Sequence, residues 1–574
     1  MNKTSPVYSE STRCQDCYCC VRECPVKAIQ VVDACAVILP ERCVSCGTCV
    51  EACTSGAKKV RDDRPLAEAL LASGRPVAVS LAPSWVAAFP GLRFGQMAAA
   101  LRHLGFAGAS ETALGAQEVS ARLAQDLDRS QGRYFLSTAC PVAVELVCKY
   151  LPHLAEHLTP VASPLQAHAR MLKEALGPQA AVAFFGPCVG KKLEAAPELD
   201  AADVVLSFDD LAAWLQASGV DPAREADAPP LLEAAAEGAW FPVEGGMAET
   251  IQRSLRSDHT DFVTLSGLAH VQEGLTRLKA PEPTGRNLFL ELLACTGGCV
   301  GGPFSRTDSA VQARLEVVHG VREVPEACPR SPRLDVARAF RPRPVEEPLV
   351  TPGALAGALA KLGKYGPEDE LNCRACGYDS CRDLARAILV GRGEPQMCVS
   401  HMRLLATRKA NALLRSLPFG VVIVGADLEI IDCNHHFARM MGEDALFLLE
   451  TQRDLSGAHL EKFIDFADRF RAVLEGGDEI IRETLLCRNR RFSVSVFPVE
   501  PGQVVGALLL DVTERERRRD EVIHKAQEVI QNMMENVQGI AFSLGSNAAR
   551  SEGILNSIIA EFSAPERSED GHGL

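Results

Sequence analysis

The sequence predicts a multidomain protein of mixed α/β and α+β class. It comprises a small cysteine-rich module, an α/β domain, a second small four-cysteine module, an α+β domain and a terminal helix. Three observations predict this. The chain has 574 residues, enough for about four domains, and its 47% hydrophobic and 23% charged residues are the balance of a globular protein. Its 22 cysteines fall in blocks: ten before residue 54, five between 140 and 299, and four between 373 and 398, with Cys328, Cys433 and Cys487 outside them. Short apolar runs alternate with helical stretches through the middle, and alternating strands follow near the end.

The net charge of -14 argues against a partner such as nucleic acid bound through a broad basic surface. The first residues lack the apolar core of a secretion signal, and no apolar run reaches the ~18 residues of a spanning helix. A cytoplasmic location away from membranes is therefore expected, where cysteines stay reduced. Reduced cysteines at regular spacing point to metal.

Residues 1–62 carry the first block. Cys14, Cys17, Cys20 and Cys24 fit C-x2-C-x2-C-x3-C, with Pro25 next, and the pattern recurs at Cys43, Cys46, Cys49 and Cys53. This is the pattern of bacterial two-cluster ferredoxins, in which three close thiolates hold one [4Fe–4S] cluster and the fourth ligates the other. On that pattern Cys14, Cys17, Cys20 and Cys53 hold one cluster, and Cys43, Cys46, Cys49 and Cys24 hold the second. The alternatives, a pair of zinc knuckles or a disulfide framework, are disfavoured by a double match with exchanged fourth ligands. Thr54 stands where the second set would carry proline. Cys19 and Cys35 are spare and read as small buried hydrophobes.

Residues 63–340 form the α/β domain. Apolar runs at 134–136, 181–185 and 288–293 lead into the cysteine-bearing loops STACPV, GPCVGKKLEA and ACTGGCVGG, and a fourth run at 77–81 ends in APSW. Pro141 suits the first turn of the apolar helix that follows it. Ligands in such folds gather outside the carboxyl ends of the strands. That would bring Cys140, Cys188, Cys295 and Cys299 together, and four convergent thiolates suit one [4Fe–4S] cluster. Taken singly, each of these cysteines reads as a buried structural thiol; their shared place at strand ends shifts the balance.

The three segments resemble the signature motifs of [FeFe] hydrogenases, approximately TSCCP, MPCxxKxxE and ExMxCxxGCxxG. Here they run Ser137-Thr-Ala-Cys140-Pro141, Gly186-Pro-Cys188-Val-Gly-Lys191-Lys-Leu-Glu194 and Glu291-Leu-Leu-Ala-Cys295-Thr-Gly-Gly-Cys299-Val-Gly-Gly302. The resemblance implies an H-cluster, with a [4Fe–4S] unit on Cys140, Cys188, Cys295 and Cys299. Cys299 would bridge to a di-iron unit bearing CO, cyanide and an azadithiolate. Lys191 matches the lysine that holds a cyanide, as a charge-assisted donor can in a dry pocket, and Glu194 closes the same motif. The plainer reading of Lys191 is a solvated loop lysine.

The departures matter more than the matches. Catalytic members of the family carry a proton-shuttling cysteine where this chain has Ala139, which has no titratable hydrogen. Their next proton carrier is a glutamate in a segment like GADxTxMEE. The corresponding residues 115–123, GAQEVSARL, put Arg122 or Leu123 in its place, with Glu118 as a candidate substitute. Gly186 and Leu293 replace the motif methionines. A general acid lost at a proton-transfer site typically costs about 10²–10⁴-fold in rate.

Residues 321–350 are rich in Pro and Arg and read as a linker. Residues 345–405 carry Cys373, Cys376, Cys381 and Cys398, spaced C-x2-C-x4-C-x16-C. This resembles the small [4Fe–4S] domain of several anaerobic redox proteins, with tetrahedral zinc as the alternative. Residues 406–513 resemble a PAS domain: expected strands at 417–424, 428–432, 492–496 and 504–510, Asn434 after the second, and a closing Asp511-Val-Thr513. His435 and His436 could ligate haem, though surface histidines are the plainer reading. In residues 514–574, Val522, Ala526, Val529, Met533, Val537, Ile540 and Leu544 recur every three or four residues. They form the seam of a coiled coil, or of a helix packed on the PAS domain.

Together these readings predict a sensory [FeFe] hydrogenase of low turnover, acting on H2 and protons at an H-cluster supported by three additional [4Fe–4S] clusters. Expected partners are a redox carrier such as ferredoxin, a second copy in a homodimer, and a separate signalling protein such as a kinase or phosphatase. The alternatives are an ordinary hydrogenase with another proton path, and a non-enzymatic iron–sulfur scaffold.

Overall fold

The computed structural model describes residues 5–196, 199, 201–278, 285–307, 309–321, 330–452 and 455–544. The chain divides into two compact units, Met1–Met402 and Arg403–Leu574. Among the described residues no helix is long and apolar enough to cross a membrane.

In the first unit, the N-terminal module is built on two small antiparallel pairs. Val7–Ser9 pairs with Lys58–Val60, and Ile29–Val32 pairs with Cys35–Ile38. Short helices, Cys19–Glu23 and Thr48–Glu51, each carry the third cysteine of their set, Cys20 and Cys49, at the second position. The repeat shows in the hydrogen bonds too. Ala28 N–H donates to Cys24 Sγ (3.2 Å) and Ala57 N–H to Cys53 Sγ (3.2 Å), four residues on in each case.

The α/β domain holds two parallel sheets. One orders the strands Gly108–Glu111, Val77–Leu81, Ala181–Gly186 and Val204–Ser207. Val77–Leu81 and Ala181–Gly186 are buried at every position, as continuous apolar strands covered on both faces should be. The other sheet orders Thr260–Ser266, Asn287–Leu293 and Tyr134–Leu136. Behind the first sheet, His168 is fully buried between the hydroxyls of Ser80 (2.8 Å) and Ser110 (3.0 Å). Burial pushes its pKa down to about 3, so it is a neutral structural link.

Residues 330–348 are not a free linker. They form a strap hydrogen-bonded to the domain: Ala162 N–H donates to Val336 O, Arg343 N–H to Cys148 O and Val345 N–H to Lys149 O. Backbone groups that lose water must find partners, and here the strap finds them on the helix Pro141–Tyr150 and the segment before Pro164. Residues 322–329, including Cys328, lie outside the described residues. The strap leads to the small module, with helices Pro352–Lys361 and Cys381–Leu389, and Cys398 directly precedes the helix Val399–Ser416.

The second unit is a five-stranded antiparallel sheet in the order Ile430–Cys433, Gly420–Gly425, Val504–Asp511, Arg490–Glu500 and Ile480–Cys487. The last of these was not expected from sequence. It is an edge strand, largely exposed, and its Arg482 and Glu483 break the apolar alternation. Asn434 ties the unit together: its Oδ1 accepts from Val421 N–H and Phe437 N–H, and its Nδ2 donates to Leu414 O and Phe419 O. His435 and His436 are half-buried at the start of the helix His435–Met441.

The final helix runs Thr513–Leu544, pinned at its start by Arg491, 3.0 Å from Asp520. Val522, Ala526, Val529 and Met533 are exposed along it, so this part of the seam does not pack on the sheet. The side chains of Val537, Ile540 and Leu544 lie outside the described residues.

Candidate metal centre

Three strand ends deliver the cysteines. Tyr134–Leu136 hands the chain to Ser137, Thr138, Ala139 and Cys140; Ala181–Gly186 to Pro187 and Cys188; and Asn287–Leu293 to the loop holding Cys295 and Cys299. That loop folds back on itself through Gly297 and Gly298, both at positive φ, and a Cβ at Gly298 would lie 2.4 Å from Pro242 O.

The result is a cavity of about 20 Å³ walled by Cys140, Cys188, Cys295 and Cys299, with Cys46 of the N-terminal module at its edge. Two further cavities of the same size are each walled by four cysteines. One holds Cys24, Cys43, Cys46 and Cys49, and the other Cys373, Cys376, Cys381 and Cys398. Cys14, Cys17, Cys20 and Cys53 form a fourth group, close enough to perturb one another electrostatically. Among the described residues no group of three or more His, Cys, Asp or Glu is drawn together as a single metal ion requires. Three of the cysteine sets are spread round a cavity instead.

The donor chemistry suits iron–sulfur clusters. Burial pushes Cys20, Cys43 and Cys188 up to about 11 and Cys299 to about 12, so these thiols stay protonated until a cation compensates their charge.

A second cavity, of about 80 Å³, shares Cys140, Cys188 and Cys299 with the first. Its walls are mostly apolar, from Ala116, Leu165, Phe184, Phe241, Pro242 and Met247, and Ala139 stands in them. Lys191 is its cation. The Nζ donates to Ala139 O (3.1 Å) and to both oxygens of Glu194 (3.2 and 3.0 Å). Glu194 does not line this cavity; it is buried behind Lys191, accepting also from Ser163 Oγ (2.6 Å), and so aims the ammonium.

Three lining residues had no role in the sequence reading. Glu291 is 1% exposed; its Oε1 accepts from Met247 N–H (3.2 Å), and its Oε2 from Ala248 N–H (3.3 Å) and Thr264 Oγ1 (3.1 Å). Burial pushes its carboxyl up to about 7 against the pull of those donors. Its place in the third motif was the available signal. Ser84, in the APSW turn, is buried with a hydroxyl that has no partner, and it faces the cavity, as does Thr112. An orphaned buried donor is costly, and a polar ligand in the cavity would satisfy it.

The residues read in place of the family's glutamate, and the candidate substitute Glu118, lie away from the cavity. Arg122 pairs with Asp126 at 3.2 Å, and Leu123 is packed in the core. Glu118 is buried, accepts from Arg333 N–H (2.6 Å), and is not among the cavity-lining residues. The helix Ala113–Asp128 therefore presents Ala116 to the cavity and no acid.

A cysteine-walled cavity joined to an apolar chamber with one aimed lysine suits an iron–sulfur cluster beside a small anionic ligand. Residues 75–303 match the family described as iron only hydrogenase large subunit, C-terminal domain. Residues 36–59 match a 4Fe-4S binding domain, 369–400 a putative Fe-S cluster family, and 414–517 the PAS fold. The chain thus carries an iron-only hydrogenase domain with iron–sulfur modules and a PAS domain. It is similar to the NADP-reducing hydrogenase subunit HndD of Solidesulfovibrio fructosivorans, 28% identical over 48% of this chain and 59% of that one. It is also similar to the cytosolic Fe-S cluster assembly factor NAR1 of Encephalitozoon cuniculi, 26% identical over 36% of this chain and 62% of that one. The chain therefore spans about three fifths of the length of these relatives. A solved [FeFe]-hydrogenase from Chlamydomonas reinhardtii is 19% identical, with 47% of this chain and 91% of that chain covered and a TM-score of 0.36.

Proposed function

We propose that the chain is a sensory [FeFe]-hydrogenase-type protein that responds to H2, turns over slowly, and signals through its PAS domain to a separate partner. The observation that carries this reading is Ala139 in the wall of the chamber that also holds Lys191 and Cys299. The ligand-holding residues are kept while the proton-passing thiol is absent, and slow turnover follows.

Cys140, Cys188, Cys295 and Cys299 would hold the [4Fe–4S] unit of an H-cluster, with Cys299 shared with the di-iron unit. When bound, that group supplies reversible H2 cleavage and accepts the electrons. The chain's own contribution is then placement. Glu194 and Ser163 aim Lys191 at an anionic ligand; Ser84 offers a second donor; Phe184, Phe241 and Met247 exclude water. Glu291, its carboxyl pushed up to about 7, is about half protonated at neutral pH and is the acid in the wall left to pass the protons of that slow turnover.

The other three cysteine sets would hold [4Fe–4S] clusters that exchange electrons with a carrier such as ferredoxin. The exposed stripe on Thr513–Leu544 supports a homodimer, with a kinase or phosphatase as the downstream partner in the cytoplasm. The likeness to a cluster assembly factor favours the scaffold as the second reading. The Lys191–Glu194 pair and the orphaned Ser84 hydroxyl speak against it, because a scaffold needs neither.

The test is the infrared spectrum of the anaerobically matured protein under N2 and then H2, followed by a turnover assay. Iron-bound CO and cyanide bands that shift under H2, with slow turnover, are expected. Rapid turnover would favour the ordinary hydrogenase, and an absence of such bands would leave the scaffold.

A further inference from the structure

We infer that the small four-cysteine module exchanges electrons with the ferredoxin-like module at the helix Cys19–Glu23. This rests on the reading that each cysteine set holds a cluster.

Two glycines mark where the modules seat on one another. Gly47, beside Cys46, has φ +87, and a Cβ there would lie 3.0 Å from Pro303 and 3.2 Å from Val189, the residue after Cys188. Gly377, beside Cys376, has φ +90, and a Cβ there would lie 3.0 Å from Arg22 N and 3.1 Å from the Val21 carbonyl carbon. Residues 21 and 22 stand between Cys20 and Cys24. Both glycines combine a left-handed backbone with a close approach that a side chain would block. At the second seat the cysteine loop of the small module rests on bare backbone of the other module.

The surroundings hold that seat in register. Val31 N–H donates to Arg392 O (3.0 Å), Gln30 Nε2 donates to Gly391 O (2.6 Å), and Glu347 of the strap bridges Arg42 and Arg392. Tyr378, buried beside Gly377, lies within electrostatic reach of both Cys376 and Cys24. The cavity walled by Cys373, Cys376, Cys381 and Cys398 is lined by residues 362–400 alone, so the seat at Gly377 is where this cysteine loop meets another module. By contrast, Cys46 stands at the edge of the cavity holding Cys295. The succession is therefore Cys295, Cys46, Cys24, Cys376.

The branch ends where it can be read. Cys398 Sγ lies 3.3 Å from Ser400 Oγ in the first turn of Val399–Ser416, and the buried Lys364 Nζ donates to that hydroxyl (3.0 Å) and to Asp369 O (2.6 Å). One electron leaving a ferredoxin-like cluster oxidises it by one and reduces the small-module cluster by one, with no proton required. The added negative charge strengthens the pull on Lys364 at the start of a helix that leads to the PAS sequence.

The test uses the full chain reconstituted anaerobically with iron and sulfide, reduced with dithionite and examined by electron paramagnetic resonance. Cys381→Ser, lacking one cluster, identifies the small-module signal by difference. The expected result is a full iron content and a small-module signal broadened by magnetic interaction with its neighbour. That broadening should vanish in Gly377→Leu and in the double variant Gln30→Ala, Glu347→Lys, which leaves every cysteine loop intact, at unchanged iron content. An isolated small-module signal in the fully loaded wild type overturns the route, as does broadening unchanged in both variants. Wild-type iron short of the small module's share overturns the cluster reading itself.

Discussion

Glu291→Gln tests the chamber most directly. The wild-type carboxyl is 1% exposed, and burial lifts it from 4.5 to about 7. At about 1.4 kcal/mol per pH unit, ionising it in place costs roughly 3 kcal/mol more than in water. Below about pH 7 it is neutral and can give a proton; above it is anionic and can take one. Because the folded value is the higher, the linked stability is fully present below the unfolded value of about 4.5 and is lost as pH climbs through about 7. Two readouts follow. Thermal melts of the metal-free chain should lose stability across that window in the wild type, and much less in the glutamine variant. Exchange of H2 with D2O by the matured protein should show a pH step near 7 in the wild type. In Glu291→Gln the step should disappear, and the rate should fall about 10²–10⁴-fold. A glutamine variant that exchanges at the wild-type rate with the same step refutes the role given to Glu291.

The remaining predictions concern its neighbours. Ala139→Cys should raise turnover by about 10²–10⁴-fold by restoring a titratable hydrogen in the wall, as measured by H2 evolution. Lys191→Ala leaves the buried Glu194 carboxylate without its cation. Chemical denaturation of the first unit should then show a loss of about 3–5 kcal/mol, and the cyanide bands should be lost or displaced. Ser84→Ala removes an unpaired buried hydroxyl, so the metal-free chain should melt no lower than wild type, while the infrared bands of the matured protein shift. Asn434→Ala removes four hydrogen bonds at about 0.5–1.5 kcal/mol each, and the urea midpoint of the second unit should fall with little change in slope.

Much of the centre was legible because cysteine spacing and strand-end loops are local features. The strands behind STACPV, GPCVGKKLEA and ACTGGCVGG form as their apolar runs require, and the helix after Cys140 begins at Pro141. The edge strand Ile480–Cys487 was missed because a register shift between Ile480 and Glu483, with Arg482 and Glu483 beside it, breaks the alternation that announces a strand. Residues 321–350, whose part 330–348 forms the strap, read as a linker because Pro and Arg content reports what a chain cannot form by itself. It does not report what a neighbouring helix will accept as hydrogen-bond partners. Glu118 was a plausible substitute acid in one dimension, yet its carboxylate meets Arg333 N–H, a partner 215 residues away.

By itself the sequence determined the cysteine sets and the alanine, with no titratable hydrogen, beside Cys140, since each depends on residue type and short spacing. Only the tertiary structure decided what surrounds Ala139, because burial and electrostatics belong to contacts between distant segments. That Glu194 stands behind Lys191 and outside the chamber, that Glu291 is the acid in its wall, and that Gly377 rests on Val21 and Arg22 all depend on how separate strand ends and modules close on one another. A residue's type sets what it can do. The groups brought round it by the rest of the chain set whether it holds a proton, a charge or a contact.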